Sequence, residues 1–336
     1  MLYVVIVFLI LAVLMYILLG GADFGAGILE LTTPNRMKSK IRKRTYETIG
    51  PIWEANHMWL IITIVILFVG FPAIYSLLSI HLHIPLLLML FGIIGRGTAF
   101  VFRHYDAVED EMQRVYNWIF AYSSFVTPFF LGLIFGAAVG GSINPDAPDF
   151  LASYIWSWLN AFSVAVGLFT VMICGFLTAV FLVGEAKNDA ERRFFVTRSR
   201  LFILATVLAG GIVFLAAELQ NVPLVELLIT EWVTLGILFL ATLAMILLWL
   251  KLPTATKSFS RLLAGAVVTA ILLAFGYHYF PDMVILQGGE NLTLFNSAAL
   301  GKPIETLAWA LLIGSIFILP SLGYLLYSFQ KEKAEY

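Results

Sequence analysis

Three ionisable side chains, Asp23, Glu54 and Arg96, lie within or at the edge of long apolar stretches of this 336-residue chain. A charge near the centre of a membrane-spanning helix costs roughly 2.5–3.5 kcal/mol on insertion scales, so such residues usually form ion pairs, line water or carry protons. We therefore take Asp23 and Glu54 as candidate proton-transfer residues. Arg96 is the candidate for tuning their pKa or for a structural ion pair with one of them, and both roles stay open.

The residues around Asp23 indicate close packing of helices. Gly21 and Gly25 are four residues apart in the segment GADFGAG. Small residues at this spacing let a second helix approach the backbone closely in a membrane. The pattern favours helix packing whatever the aspartate does.

His57 follows Glu54 by three residues, so the two side chains can share one helix face. A membrane histidine can ligate haem. The other histidines do not stand at a well-matched depth, and His104 is the least unfavourable partner. We therefore expect no metal and no haem to be ligated by this chain.

Nine apolar stretches must position these side chains, and most reach the roughly 20 residues that a membrane-spanning helix needs. The composition agrees, with 61% hydrophobic and 12% charged residues. The stretches lack the alternation of a membrane barrel, and lipid requires internal backbone hydrogen bonds, so helices are expected. The predicted spans are 2–31, 55–78, 84–101, 118–139, 151–183, 195–219, 224–250, 262–280 and 305–327.

The sequence therefore predicts an all-α integral membrane protein with nine transmembrane helices in one polytopic domain over residues 1–336. Short connections make consecutive helices antiparallel neighbours. Two four-helix bundles plus one peripheral helix is the packing we expect from this count.

The basic residues orient the chain. All Lys and Arg residues other than Arg96 and Lys302 lie in or beside every second connection or after the last span. By the positive-inside rule the N-terminus is outside and the C-terminus is in the cytoplasm, so Asp23, Glu54 and Arg96 all fall in the cytoplasmic half of the membrane. We expect the first span to be retained, because no basic residue precedes it and it is too long for a signal peptide. The net charge of −1 suggests no nucleic-acid partner.

Three motifs, in this order along the chain, resemble subunit II of the cytochrome bd-type quinol oxidases. They are GADFGAG at 21–27, IGPIWEANHMWLI at 49–61 and FPAIY at 71–75. The second motif is the most specific and contains Trp53, Asn56, His57 and Trp59. The resemblance extends over essentially the whole chain and is densest over residues 20–130.

The resemblance implies one subunit of an aerobic respiratory oxidoreductase in the prokaryotic cytoplasmic membrane. Such a complex oxidises quinol and reduces O2 to water with protons taken from the cytoplasm. It implies that haem b and haem d are ligated by subunit I, a partner of similar size, and that this chain alone is not catalytic. A small single-helix subunit, membrane lipid and quinone are further partners that it allows. In the family, the acidic position occupied here by Glu54 is associated with proton delivery, and Asp23 matches an aspartate of the first helix.

Two other functions stay open at this point. An intramembrane Asp, Glu and Arg can bind a substrate and a proton in a secondary transporter, although no Gly/Pro-interrupted pair of spans recurs in the two halves of the chain. The chain can also be a purely structural membrane subunit without a proton role.

Overall fold

The chain folds into long helices joined mostly by short connections. The structure, a computed structural model, describes residues 1–49, 53–105 and 111–332. Within those ranges nine helical segments are long and apolar enough to cross a membrane, which confirms the predicted fold class. The helices are α1 (Leu2–Met15), α2 (Gly21–Leu31), α3 (Asn35–Ile49), α4 (Trp53–Gly70), α5 (Pro72–His81), α6 (His83–Tyr105), α7 (Glu111–Val139), α8 (Phe150–Tyr154), α9 (Ala161–Val183), α10 (Asp189–Leu219), α11 (Leu224–Thr230), α12 (Trp232–Lys251), α13 (Lys257–Tyr279) and α14 (Lys302–Glu332).

The first span is continuous but changes its hydrogen-bond pattern halfway. Tyr16–Gly20 form a π-helical turn that joins α1 to α2. Such turns are uncommon and often occur next to functional sites. Here the turn comes directly before the glycine-rich segment that carries Asp23.

The second span is interrupted, which the sequence analysis did not predict. Helix α4 ends at Gly70 and α5 begins at Pro72, with Phe71 between them at φ −135° and ψ 62°. Proline lacks a backbone N–H and disfavours helical geometry in the residue before it, which explains the break. The Gly70 carbonyl accepts a hydrogen bond of 2.8 Å from the backbone N–H of Ala299 instead.

The fifth and seventh spans also begin later than predicted. The fifth span is α9, separated from the short helix α8, because the Asn160 side chain caps α9 by accepting from the Ser163 N–H. The seventh is α12, separated from α11 by Glu231, whose backbone is extended. In both cases a non-helical stretch, residues 155–160 before α9 and Glu231 before α12, divides an apolar run that hydropathy alone predicts to be one segment.

Helix α9 lies at the centre of the fold. It packs against α2, α7, α10 and α13, while α1 packs against α4 and α14. The arrangement as two four-helix bundles plus a peripheral helix stays a prediction. The connection between α13 and α14 contains a short antiparallel pair, β1 (Asp282–Val284) and β2 (Leu292–Thr293), in which Asp282 is paired with Thr293.

Helix α3 contains many of the basic residues and contacts the first turn of α10. Ile41 is buried on its inner face, and Arg44 forms an ion pair of 3.0 Å with Glu191. These contacts fix the amphipathic helix α3 beside the Lys/Arg-rich ends of the spans.

Candidate functional site

The glycine-rich segment of α2 is in direct contact with α9. A Cβ atom on Gly25 would collide with the Cys174 carbonyl oxygen and with Thr178 Oγ1, and one on Gly21 would lie 3.4 Å from Cys174 Sγ. Thr178 Oγ1 also donates a hydrogen bond to the Ala22 carbonyl. The small residues thus do what their spacing predicts, and they hold the segment around Asp23 in a fixed position.

Asp23 and Arg96 form an ion pair inside the helix bundle. Arg96 Nη2 lies 2.6 Å from Asp23 Oδ1 and 3.1 Å from the Asp23 carbonyl oxygen, and the two side chains are 0% and 1% exposed. The guanidinium also lies over the rings of Phe24 and Phe120, at 5.2 and 5.1 Å from their centroids. The pairing that the sequence left open is therefore between Asp23 and Arg96.

A second buried ion pair lies two helical turns away, and the sequence analysis did not identify it. Glu30 Oε2 accepts from Arg103 Nη1 at 3.1 Å, and Glu30 Oε1 lies 2.6 Å from Arg42. The side chains of Glu30 and Arg103 are each 4% exposed. The sequence contains a pattern that could have predicted this pair. Asp23 and Glu30 are seven residues apart on α2, and Arg96 and Arg103 are seven apart on α6. Residues at this spacing fall on one face of a helix, about 10.5 Å apart.

One aromatic ring lies between the two ion pairs. The Arg103 guanidinium is 4.1 Å from the centroid of Phe120, the ring that Arg96 also approaches. Cations are attracted to aromatic faces, more strongly when water is excluded. Phe120 therefore stabilises both guanidinium groups and joins the pairs into one cluster, the ion ladder, which we define as Asp23, Arg96, Phe120, Arg103 and Glu30.

Several polar atoms of the ion ladder are buried without a hydrogen-bond partner among the described residues. They are Asp23 Oδ2, Arg96 Nε and Nη1, and Arg103 Nε and Nη2. Unbonded buried polar atoms are destabilising, typically by 1–3 kcal/mol each, so they are usually retained for a reason other than packing. The ion ladder therefore has hydrogen-bond donors and one acceptor oxygen that its ion pairs do not use.

Glu54 does not join this cluster. Its side chain is exposed on the first turn of α4, and it forms no ion pair with any residue in the described ranges. Of the three residues singled out from the sequence, the structure brings Asp23 and Arg96 together and leaves Glu54 apart from them. The reason is helical geometry, because the neighbouring Trp53 and Asn56 turn inward and Glu54 consequently turns outward.

The other residues of the second motif form an aromatic and polar packing layer. The ring centroids of Trp53 and Phe100 are 5.2 Å apart. The centroid of the His57 ring lies 5.8 to 6.3 Å from those of Tyr16, Phe24 and Trp53. Asn56 and Trp59 are buried. Gly50, Pro51 and Ile52 of the same motif lie outside the described residues.

The surroundings of His57 are aromatic. Three rings pack around its imidazole, with centroids 5.8 to 6.3 Å away. Within the described ranges no group of three or more His, Cys, Asp or Glu side chains is arranged to hold a metal ion. The side chain of His104, the partner considered from the sequence, lies outside the described residues.

Comparisons with known proteins agree over the whole chain. The family model for cytochrome bd terminal oxidase subunit II matches residues 1–329. Cytochrome bd ubiquinol oxidase subunit 2 of Bacillus subtilis (strain 168) is 23% identical over 332 residues, which are 97% of this chain and 95% of the relative. Cytochrome bd-I ubiquinol oxidase subunit 2 of Escherichia coli (strain K12) is 26% identical over 155 residues, 45% of this chain and 40% of the relative.

A solved structure gives the same fold. A chain of the bd oxidase from Geobacillus thermodenitrificans superimposes with a TM-score of 0.77 at 18% identity, covering 97% of this chain and 98% of that one. At this identity the likeness concerns the helical architecture alone.

Proposed function

The chain belongs to the family of cytochrome bd terminal oxidase subunit II, and on that premise we propose that it supports a haem-bearing subunit I and delivers cytoplasmic protons for the reduction of O2 to water. Family membership makes it one subunit of a terminal quinol oxidase, an oxidoreductase complex. It does not support the alternative of a secondary transporter. The proton role and the parts of the complex named below are our proposal.

The complex that we propose contains haem b and haem d, both ligated by subunit I. These groups supply the electron transfer and oxygen chemistry, while the present chain supplies packing and proton access. In this division His57 is a packing residue, placed among the rings of Tyr16, Phe24 and Trp53. The prokaryotic cytoplasmic membrane, an external N-terminus, and contacts with lipid, quinone and a small single-helix subunit belong to the same proposal.

The ion ladder supports a proton route with two acidic positions. Glu30 lies near the end of α2, next to Arg42 of the basic helix α3, and Asp23 lies two turns deeper. Transfer over about 10 Å needs intervening water, and water is stable beside buried polar atoms with several partners in reach. The unbonded atoms of Asp23, Arg96 and Arg103 offer such partners. In this route the arginines keep the carboxylates oriented, and the carboxylates carry the proton.

The single observation that carries the proposal is the state of Asp23. It is fully buried and bonded to Arg96 through one oxygen, while its second oxygen has no hydrogen-bond partner among the described residues. A carboxylate that serves only in a structural ion pair is expected to have hydrogen bonds to both of its oxygens. A free, buried oxygen is what a proton acceptor requires.

Glu54 has a different place in the proposal. Its carboxylate is exposed on this chain although its motif partners Asn56 and Trp59 are buried. We propose that it faces subunit I and passes protons across the subunit boundary.

The experiment compares Glu54→Gln and Glu30→Gln with Glu290→Gln, an exposed glutamate of the β1–β2 connection, in the intact complex. Quinol-driven oxygen consumption and proton uptake are measured in vesicles, together with the haem spectrum. The first two variants should lose about tenfold or more of both rates with a normal spectrum, because a proton carrier is removed. The control should resemble the natural protein. Unchanged rates in both variants would refute the route, and loss of the haems would indicate an assembly role instead.

A further inference from the structure

A solvent-open pocket of about 320 Å³ lies at the basic end of the molecule, beside the Glu30 end of the ion ladder. Three elements line it: α3, α6 and α7. On α3 the lining positions 42 and 43 each lie four or three residues before 46, and on α7 the positions 113 and 117 are four apart. Residues three or four apart are neighbours on a helix surface. The lining residues are Arg42, Lys43, Tyr46, Arg103, Gln113 and Asn117.

Among the described residues, the pocket lining carries more positive charge than acidic side chains neutralise. Arg42 and Arg103 share one carboxylate, that of Glu30, at 2.6 and 3.1 Å. Lys43 forms no ion pair with any described residue. Three cations therefore stand beside one anion in the part of the pocket that the structure describes.

Two lining side chains have unused hydrogen-bonding atoms. Arg103 is 8% exposed, and its Nε and Nη2 atoms have no partner among the described residues. The side-chain oxygen of Asn117 is likewise buried without a partner among the described residues, and the Nδ2 group of the same amide is a hydrogen-bond donor. Guanidinium, ammonium and amide donors grouped in this way match the oxygens of a phosphate.

Exposed aromatic side chains lie on the same two helices, α6 and α7, next to lining residues in the sequence. Phe102 and Trp118 directly adjoin Arg103 and Asn117 in sequence and are 49% and 56% exposed. A soluble phosphate would use the cations but not these rings. A phospholipid would use both, with its headgroup on the cations and its acyl chains against the rings. Basic pockets between membrane helices on the cytoplasmic side are a known setting for anionic headgroups.

We propose that this pocket is a binding site for the phosphate headgroup of an anionic membrane lipid. The proposal does not rest on the proton route, because its cations and rings are needed whether or not Glu30 and Asp23 carry protons. It assigns Lys43, Asn117 and the free side of Arg103 a function that neither ion pair explains.

The test uses the intact complex, purified from native membranes, stripped of lipid and titrated with phosphatidylglycerol, with bound lipid counted by native mass spectrometry. The variant Arg42→Gln/Lys43→Gln removes two pocket cations. The matched control, Arg36→Gln/Lys40→Gln, removes the same residue types from exposed positions of α3 that do not line the pocket. The pocket variant should bind phosphatidylglycerol about tenfold more weakly, and the control should bind it normally.

A second variant shows whether weaker lipid binding comes from the pocket itself or from a disturbed fold. Arg42 also bonds Glu30, so its replacement perturbs the ion ladder, whereas Lys43→Gln changes only an exposed side chain and should still weaken lipid binding several-fold. Phosphatidylcholine serves as the zwitterionic comparison and should bind with no dependence on these variants.

Three outcomes would overturn the proposal. Equal phosphatidylglycerol binding by the natural protein, Lys43→Gln and the double variant would mean that the pocket holds no lipid. Binding of inorganic phosphate that depends on the two cations, without such a dependence for lipid, would make the ligand a soluble anion. Loss of subunit I from the pocket variant with unchanged lipid content would make the pocket a subunit contact.

Discussion

Asp23 presents one carboxylate oxygen to Arg96 and keeps the other buried without a partner among the described residues. The pair has a structural and a functional interpretation, and these differ in what they require. A structural ion pair contributes only through packing and mutual charge neutralisation. An apolar pair of similar volume can therefore replace it. A proton carrier needs the carboxylate itself. Stability and turnover therefore report on different properties of the same two residues.

The first prediction separates these properties by comparing Asp23→Asn with the double variant Asp23→Leu/Arg96→Leu. The single change leaves a buried guanidinium without its anion and should destabilise the protein by about 3–5 kcal/mol, whereas the double change removes both charges and should recover most of that loss. Thermal unfolding of the purified complex measures both effects. If the stable double variant also turned over at the normal rate, Asp23 would be a structural residue only.

At the scale of the elements, the site depends on how closely α2 can approach α9. Gly25 has no space for a Cβ atom against Cys174 and Thr178, and the Thr178 hydroxyl bonds the Ala22 carbonyl across the same contact. Close backbone approach lets weak contacts accumulate in a membrane, where apolar burial alone gives little net attraction between helices. The position of Asp23 is therefore set by its glycine neighbours as well as by Arg96.

The second prediction concerns this contact. Gly25→Ala should push α2 away from α9 and lower stability by about 1–3 kcal/mol, the usual range for overpacking. Gly211→Ala on α10 is the matched control, because a Cβ there meets nothing within 4 Å and alanine favours helix. The midpoint of thermal unfolding of the complex should fall for the first variant and stay equal or rise for the second. Equal midpoints for the two variants would contradict the proposed role of Gly25.

At the scale of the whole molecule, the chain presents extensive apolar surface that lipid or another subunit must cover. Leu208, Trp232 and Phe317 are among the side chains that are more than two-thirds exposed. Single exposed apolar residues are normal, but large continuous faces mark contact with a membrane or a partner. The connections rich in Lys and Arg are, by contrast, strongly polar. By the positive-inside rule they predict which end of the bundle faces the cytoplasm.

The third prediction tests that orientation with single cysteines introduced at Ser39 on α3 and at Gly289 in the β1–β2 connection. Cys174 is buried and should not react, so each introduced thiol reports on its own position. A membrane-impermeant maleimide applied to intact cells should label the Gly289→Cys variant and not the Ser39→Cys variant. After the cells are lysed, both should react. The reverse pattern would place the N-terminus in the cytoplasm.

The sequence by itself predicted nine membrane-spanning helices, since lipid favours a helix in each long apolar run, and the described residues contain nine helices that are long and apolar enough. Its motifs also predicted the family, which the family model confirms. Hydropathy did not find the breaks at Phe71, at residues 155–160 and at Glu231, because these short and partly apolar stretches scarcely change the mean hydropathy of a window. Only the tertiary structure decided which charges meet. Arg96 bonds Asp23, Arg103 bonds Glu30 and Glu54 faces outward, because those pairings depend on the rotation of α2, α4 and α6 about their axes, which packing against neighbouring helices fixes.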